Sequence, residues 1–195
     1  MGLLQDNRTM RKTLILIPCL AAALGFGADP NYQKPSDDTL RALIPTHPAE
    51  HCTSKEGLPD AECTPGAVLT TDVNAICHGV STKNVRPPVW YTNQLKNTQI
   101  VEYGWEDVHP GDYEEDHLIS LEIGGHPYDP KNLWPEPHGG QYGSEEKDKV
   151  ENWLHKQICN GAMTPQEAQD GIRANWKQYL PQVTPYSPPK VHEVE

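Results

Sequence analysis

Asp116 and His117 are two neighbouring residues whose types suit chemistry on an anionic substrate. They lie in the segment YEEDHLISLEIGG, residues 113–125, beside a short apolar run that ends in two glycines. A neutral imidazole is a suitable general base near pH 7, and a carboxylate is a ligand that hard divalent cations prefer. Neighbours on a regular strand point to opposite faces, so one shared site requires an irregular strand at this point.

Two short strands are predicted to position this pair. Residues 117–123 (HLISLEI) alternate between apolar and polar side chains and precede a Gly-Gly pair, which predicts a strand. Residues 132–134 (NLW) predict a second strand, stopped by Pro135 and Pro137.

Three helices are predicted around these strands. Residues 94–105 (QLKNTQIVEYGW) have apolar residues at loosely helical spacing. Ser144 is a predicted N-cap, and the acidic residues after it suit the positive end of a helix dipole. Residues 164–167 (TPQE) form a capping box with proline at the first helical position. The stripe that identifies the second helix is Val150, Trp153, Leu154 and Ile158.

Residues 1–28 have the pattern of a secretory signal peptide. Arg11 and Lys12 precede an apolar run of about 15 residues, shorter than the ~20 residues of a membrane span. Pro18 disfavours a buried core helix in this run. We therefore expect export to the periplasm or the cell exterior, with no membrane attachment after cleavage.

The remaining chain is predicted to contain one domain with flanking segments. Residues 29–63 are rich in Pro, Asp and Thr and show no sustained period, which predicts an irregular N-terminal arm. Residues 64–180 contain the predicted strands and helices. Residues 181–195 are Pro-rich and are expected to form a disordered tail.

Four cysteines follow the predicted signal peptide. An even number in an oxidising compartment predicts two disulfides, for which four cysteines allow three pairings. Cys52 and Cys63 flank a short loop and are expected to pair locally, which leaves Cys77 and Cys159 as a long-range pair. A zinc site is the alternative, which the absence of a Cys-x-x-Cys spacing disfavours.

The charge of the chain is strongly negative. The full sequence carries a formal net charge of −11, and without residues 1–28 it has 13 basic and 26 acidic residues, a net charge of −13. This acidity argues against broad, nonspecific adhesion to nucleic acid or anionic membranes. A phosphate-bearing substrate would therefore need a local basic patch or a metal ion.

The central segment resembles the HNH, or His-Me finger, nucleases, in particular a secreted bacterial branch. The resemblance lies in YEEDHLISLEIGGHPYDPKNLWPEP and EKDKVENWLHKQIC, and covers residues 113–159 in motif and about 64–176 in general pattern. It implies an α+β fold with a ββα-metal core, here with extra helices and a disulfide-braced N-terminal arm.

The resemblance also implies roles for three residues. His117 matches the base that activates water, and Asp116 matches the acid that binds the metal. Asn132, 15 residues after His117, matches the asparagine that steadies the loop and orients the base. The implied cofactor is one divalent cation, Mg²⁺ or Mn²⁺, with Zn²⁺ as an alternative. The alternative for His117 is an ordinary surface histidine, and the alternative for Asn132 is a turn residue without a role in catalysis.

The third metal ligand is where the chain departs from the family pattern, because the predicted helix has no histidine at a suitable position. A ligand should flank the packed face of the helix, which favours Glu151 and makes Asp148 the second choice. The alternative for Glu151 is an ion pair with Lys147, four residues earlier, on a solvated face.

Two functions remain open from the sequence. The first is a metal-dependent endonuclease acting on DNA, in which Lys147 and Arg86 are the candidate substrate-binding residues; a surface salt bridge is the alternative for Arg86. The second is a secreted, disulfide-braced binding module on a degenerate HNH frame without catalysis. The acidity and the missing third histidine favour the module, whereas Asp116, His117 and Asn132 favour the nuclease.

Overall fold

The computed structural model describes residues 34–46, 52–79, 81–105, 109–139 and 142–183. The predicted signal peptide and residues 184–195 of the predicted tail lie outside the described residues. In the described part, no helix has the length and apolar character needed to cross a membrane. The described helices and strands are α1 Asp37–Leu43, α2 Val73–His78, α3 Thr82–Val85, α4 Val89–Glu102, β1 Tyr113–His117, β2 Leu133–Pro137, α5 Ser144–Cys159, α6 Pro165–Asn175 and α7 Leu180–Val183.

β1 and β2 form a two-stranded antiparallel sheet whose register runs from Tyr113 opposite Pro137 to His117 opposite Leu133. The prediction of a strand over residues 117–123 is wrong, because β1 ends at His117 and a 3₁₀ turn occupies Leu121–Ile123. The Ser120 hydroxyl accepts a hydrogen bond from the Glu122 amide. This turn reproduces the apolar and polar alternation of a strand without strand geometry.

β2 begins where it was predicted but is not stopped by its prolines. It continues through both prolines, which lie opposite Tyr113 and Glu115. Both strands of a two-stranded sheet are edge strands, where proline is tolerated because its missing N–H can face away from the partner.

The helix predictions are confirmed with two corrections. α4 covers the predicted residues 94–102 and begins earlier, at Val89. The capping box of α6 is present, with reciprocal Thr164 and Glu167 bonds. Ser144 as an N-cap is wrong, because it is the first residue of α5 and Gly143 is the N-cap. Residues 181–183 belong to α7 and not to a disordered tail.

The predicted irregular arm contains a helix, α1. The Ser36 hydroxyl caps it by accepting a hydrogen bond from the Thr39 amide. Its buried Leu40 packs in a cluster with Tyr91 and Leu95 of α4. The arm is therefore attached to the body of the protein by apolar contacts, and the Cys52–Cys63 disulfide closes a loop within the arm.

Both predicted disulfides are present, Cys52–Cys63 and Cys77–Cys159. The second one joins the end of α2 to the end of α5. The main core lies on the same side, where the apolar stripe of α5 packs against α6 and the 3₁₀ turn after β1. Its buried members are Ile119, Ile123, Val150, Leu154, Ile158, Ala168, Ile172 and Trp176. The fold is therefore α+β with two disulfides.

Candidate functional site

A polar cavity of about 190 Å³ lies where β1 ends against the first turns of α5. It brings together five of the predicted site residues: Arg86, Asp116, His117, Asp148 and Glu151. Its remaining lining residues are Glu114, Ser120, Leu121, Glu122 and Asn152.

The end of β1 explains how neighbouring residues share this cavity. Asp116 and His117 point to opposite faces of the sheet, but His117 is the last strand residue and the chain turns immediately after it. Both side chains therefore line the cavity. The sequence required an irregular strand if the two residues were to share a site, and the end of β1 at His117 provides this irregularity.

His117 is held in one orientation and one protonation state. Its ring is 5% exposed, and its Nε2 lies 3.1 Å from the Pro127 carbonyl oxygen. Because a carbonyl only accepts hydrogen bonds, Nε2 carries the proton of the neutral ring and Nδ1 keeps a lone pair. Burial lowers the pKa of His117 to about 4, although Asp116 opposes this shift. At pH 7 the ring is neutral and able to accept a proton.

Asn132 fixes the loop between the two strands. Its side-chain oxygen accepts from the Ile119 amide at 2.9 Å, and its amide nitrogen donates to the carbonyls of Ile119 and His126, both at 3.0 Å. The side chain is fully buried. A Cβ at Gly125 would lie 1.7 Å from the Ile119 carbonyl oxygen, so only glycine fits beside this anchor. Asn132 lies beneath the cavity and not in its wall.

Lys147 was predicted to bind substrate, and the structure places it elsewhere. Its side chain is 1% exposed, and its Nζ donates to Asp116 at 2.5 Å, to Glu151 and to the His117 carbonyl at 2.8 Å. Enclosed by these acceptors, the ammonium does not reach a phosphate in the cavity. The pair with Glu151 exists, but in the interior and not on a solvated face.

The lysine controls the charge of the acids around it. Burial disfavours the charged form of Lys147, but Asp116, Glu151 and Glu136 outweigh this and hold its pKa well above the ordinary value. Burial alone would raise the pKa of Asp116, but the charge of Lys147 and its hydrogen bond hold this pKa well below the ordinary value. Burial raises the pKa of Glu151 to about 7 despite Lys147.

Glu136 is a site residue that the sequence interpretation missed. Its side chain is fully buried, and its Oε2 lies 3.7 Å from the Lys147 Nζ. Within the described residues, neither oxygen accepts a hydrogen bond. Burial and the charge of Asp116 raise its pKa well above the ordinary value, although Lys147 opposes this shift. The sequence contained a signal for this residue, because Glu136 lies two positions after Trp134 and therefore on the same face of β2.

Asp148 is an acid of the cavity whose carboxylate has no partner in the described part of the chain. No hydrogen bond or ion pair is present at its carboxylate there, and burial followed by the charge of Asp116 raises its pKa. The same two causes raise the pKa of Glu114. A cation near Asp116 would offset the negative charge that raises the pKa of Glu114 and Asp148.

The donor set of the cavity fits a hard divalent cation. Mg²⁺ binds through one or two carboxylates and keeps several waters, and Asp116 and Asp148 both line the cavity and supply two carboxylates. In the described residues, three ligand atoms within 4.8 Å of one another occur at Cys77, His155 and Cys159. Two of these are joined in a disulfide, so that group is not a metal site in this form.

Comparison of the chain with family models, with curated proteins and with solved structures found no match. The case for a function therefore rests on the residues of the cavity and on the chemistry they can perform.

Proposed function

We propose that the protein is a metal-dependent endonuclease that hydrolyses phosphodiester bonds in nucleic acid, with His117 as the general base. The main support for this proposal is that one cavity holds a neutral base next to an ionised acid. His117 is neutral and can take a proton, while Asp116, next to it, is held ionised by Lys147. Hydrolysis of an anionic ester needs such a base and such a cation-binding acid together.

The chain's own residues account for the proton transfer. His117 takes a proton from water as the water oxygen bonds to phosphorus, and the bond from phosphorus to the ester oxygen breaks. The leaving oxygen takes a proton from solvent, and His117 later returns its proton to solvent. The Pro127 carbonyl keeps the ring in the tautomer that can do this, and Asn132 holds the loop that carries this carbonyl.

Asp116 and Asp148 would hold the divalent cation, Mg²⁺ or Mn²⁺. When bound, the cation supplies positive charge to offset the phosphate and the developing charge on the leaving oxygen. Asp148 is a better candidate than Glu151, because the Glu151 carboxylate is already engaged by Lys147. Asp116 keeps its second oxygen for this purpose, since Lys147 contacts Oδ2.

Two further features support the proposal. β1, β2 and α5 follow one another in the order of the ββα-metal core that the sequence resemblance implies. The two disulfides support export to an oxidising compartment, where DNA would be the expected substrate.

A binding module without catalysis is the second candidate, and Lys147 is the observation that favours it. Its ammonium contacts both Asp116 and Glu151, so part of the negative charge that would attract a metal is already neutralised. The net charge of −11 also opposes binding of a polyanion.

Plasmid cleavage by the mature protein with Mg²⁺ or Mn²⁺ separates the two candidates. His117→Ala should lower turnover roughly 100- to 10,000-fold, the usual contribution of a positioned base. His117→Gln, which can still donate to the Pro127 carbonyl, should do the same with the melting temperature preserved. His78→Ala is the matched control, because His78 is exposed and outside the cavity. If the wild-type protein fails to cleave plasmid with every divalent metal that is tested, the result supports the binding module instead.

A further inference from the structure

Cys77, His155 and Cys159 form a compact group of sulfur and nitrogen atoms, which we call the α2–α5 junction. One ligand atom of each residue lies within 4.8 Å of the other two. Cys77 comes from α2, whereas His155 and Cys159 lie four positions apart on α5 and therefore on one face of that helix. The junction has a second chemical state besides the disulfide, in which both cysteines are thiols.

The distances at the junction approach those of a zinc centre. Tetrahedral zinc, with Zn–S bonds of about 2.3 Å and Zn–N bonds of about 2.0–2.1 Å, places a sulfur and a nitrogen ligand about 3.6 Å apart. The His155 Nε2 lies 3.5 Å from the Cys159 Sγ. Two sulfur ligands of one zinc ion lie about 3.8 Å apart. Rotation about the Cα–Cβ bonds can provide this separation once the disulfide opens, because the Cα atoms of Cys77 and Cys159 are 5.6 Å apart.

The surroundings of the junction favour a cation. Cys77 lies in the last turn of α2 and Cys159 is the last residue of α5, where the ends of the helices carry partial negative charge. Two thiolates, a neutral imidazole and Zn²⁺ form a unit without net charge, so a partly buried site has no net charge to desolvate. Two cysteines and one histidine, with water at the fourth position, are a known zinc ligand set.

We propose that the dithiol form of the α2–α5 junction binds one Zn²⁺ through Cys77, His155 and Cys159, with water as the fourth ligand. The disulfide and the metal are then alternative links between the same two helices. Because the disulfide persists in an oxidising compartment, the zinc form requires a thiol reductant or a chain whose disulfide has not yet formed. The inference is independent of the proposed nuclease, since the junction and the cavity share no residue.

A dithiol reductant opens the junction in two steps. One of its thiolates attacks the Cys159 sulfur, which belongs to the exposed residue of the pair. The S–S bond breaks, and Cys77 leaves as a thiolate that takes a proton. The second thiolate of the reductant displaces Cys159 from the mixed disulfide. The reductant ends as a disulfide, and the protein has gained two electrons and two protons.

Metal binding then releases protons from the junction. Zn²⁺ displaces one proton from each thiol. In the disulfide form the His155 Nε2 lies 3.4 Å from the Ile76 carbonyl oxygen, which only accepts, so this nitrogen carries the ring proton. Binding moves the ring proton to Nδ1 through water and leaves the Nε2 lone pair for the metal.

Co²⁺ is a suitable probe, because it occupies zinc sites and gives a thiolate-to-metal charge-transfer band when cysteines bind it. The protein would be reduced with a phosphine, which competes less for the metal than a dithiol does, and titrated with Co²⁺ under argon. We expect a band that saturates at one Co²⁺ per chain and disappears when Zn²⁺ is added. The unreduced protein should show no such band, because no cysteine lines the cavity.

Variants identify the ligands. His155→Ala should weaken Co²⁺ binding to the reduced protein more than about tenfold, because it removes the nitrogen ligand. The double variant Cys77→Ser, Cys159→Ser should lose the band. It keeps Cys52 and Cys63, and therefore controls for thiols released from the other disulfide.

Thermal unfolding shows whether the metal binds the folded protein. Zn²⁺ should raise the melting temperature of the reduced wild type more than that of reduced His155→Ala. His78→Ala, at an exposed histidine next to Cys77, is the matched control and should behave as the wild type in both measurements. No charge-transfer band in the reduced wild type, or equal Co²⁺ affinity in the wild type and His155→Ala, would overturn the inference. This second outcome includes a reduced chain that unfolds, since its thiols would bind Co²⁺ without His155.

Discussion

The two faces of the small β1–β2 sheet bury acidic residues in opposite ways. On the face toward α5, Asp116 and Glu136 lie within reach of the Lys147 ammonium. On the face toward α4, Glu115 is buried near Lys96, but Lys96 donates to backbone carbonyls and not to the acid. The pKa of Asp116 is therefore held low, whereas burial raises the pKa of Glu115 well above its ordinary value.

Between these two neighbouring acids, the one bonded to Lys147 has the lowered pKa and the one without a cation partner has the raised pKa. Glu136 and Glu151 have raised pKa values although Lys147 lies beside both, because burial outweighs the lysine there. Asp116 and Glu115 are adjacent in sequence, and both are removed from water. The face with an enclosed lysine holds a negative charge on Asp116 beside His117, as the proposed hydrolysis requires. On the other face, burial raises the pKa of Glu115 and so favours its neutral form.

The largest expected effect comes from removing the lysine. Lys147→Met leaves Asp116 and Glu151 buried without their counter-charge, and breaking a buried ion pair in this way costs about 3–5 kcal/mol. The free energy of unfolding from urea titrations measures it. Lys149→Met is the matched control on the same helix, because the Lys149–Glu146 pair is 48% exposed at the lysine and should contribute less than about 1 kcal/mol. Equal losses in the two variants would show that the α5 face does not depend on its ammonium.

The second expected effect separates the two acids of α5 that face the cavity. Asp148→Asn should weaken Mg²⁺ binding by more than about tenfold, because it removes a free ligand, and Glu151→Gln should change it less. Isothermal titration calorimetry of both variants beside Asp116→Asn gives the order. A larger loss in Glu151→Gln than in Asp148→Asn would mean that Lys147 releases Glu151 to the metal.

Local signals in the sequence predicted part of this arrangement. The capping box at Thr164 involves four consecutive residues, so its reciprocal hydrogen bonds could be predicted without knowing the fold. The disulfide pairing followed from the short loop between Cys52 and Cys63 and from the even number of cysteines. Asp116 and His117 were predicted from their residue types, and Glu151 and Asp148 from their positions beside the packed face of the helix.

The parts that were not predicted depend on contacts between distant segments. Lys147 and Glu151 have the spacing of a solvated helical ion pair, and the lysine is buried only because β1 places Asp116 against it from 31 positions away. The strand predicted over residues 117–123 failed for a similar reason. Asn132, from beyond the loop, binds both backbone groups of Ile119 and holds this segment as a turn.

The smallest expected effect is a pH dependence of stability on the α4 face. The carboxyl of an unfolded glutamate has a pKa of about 4.3, and burial holds that of Glu115 well above this in the fold. Above about pH 4.3 the folded protein keeps a proton that the unfolded chain has lost, so stability falls as pH rises toward the folded pKa. Asp116 has the opposite sign, because its contribution is lost only as pH falls below about 4.

Glu115→Gln removes the titrating group, so the loss of stability between pH 5 and 8 should be shallower than in wild type, by up to about 1 kcal/mol per pH unit. Glu62→Gln, at an exposed position, should follow the wild type. Urea unfolding at several pH values measures the slopes, and identical slopes in wild type and Glu115→Gln would mean that Glu115 is ionised in the fold and that the two faces do not differ.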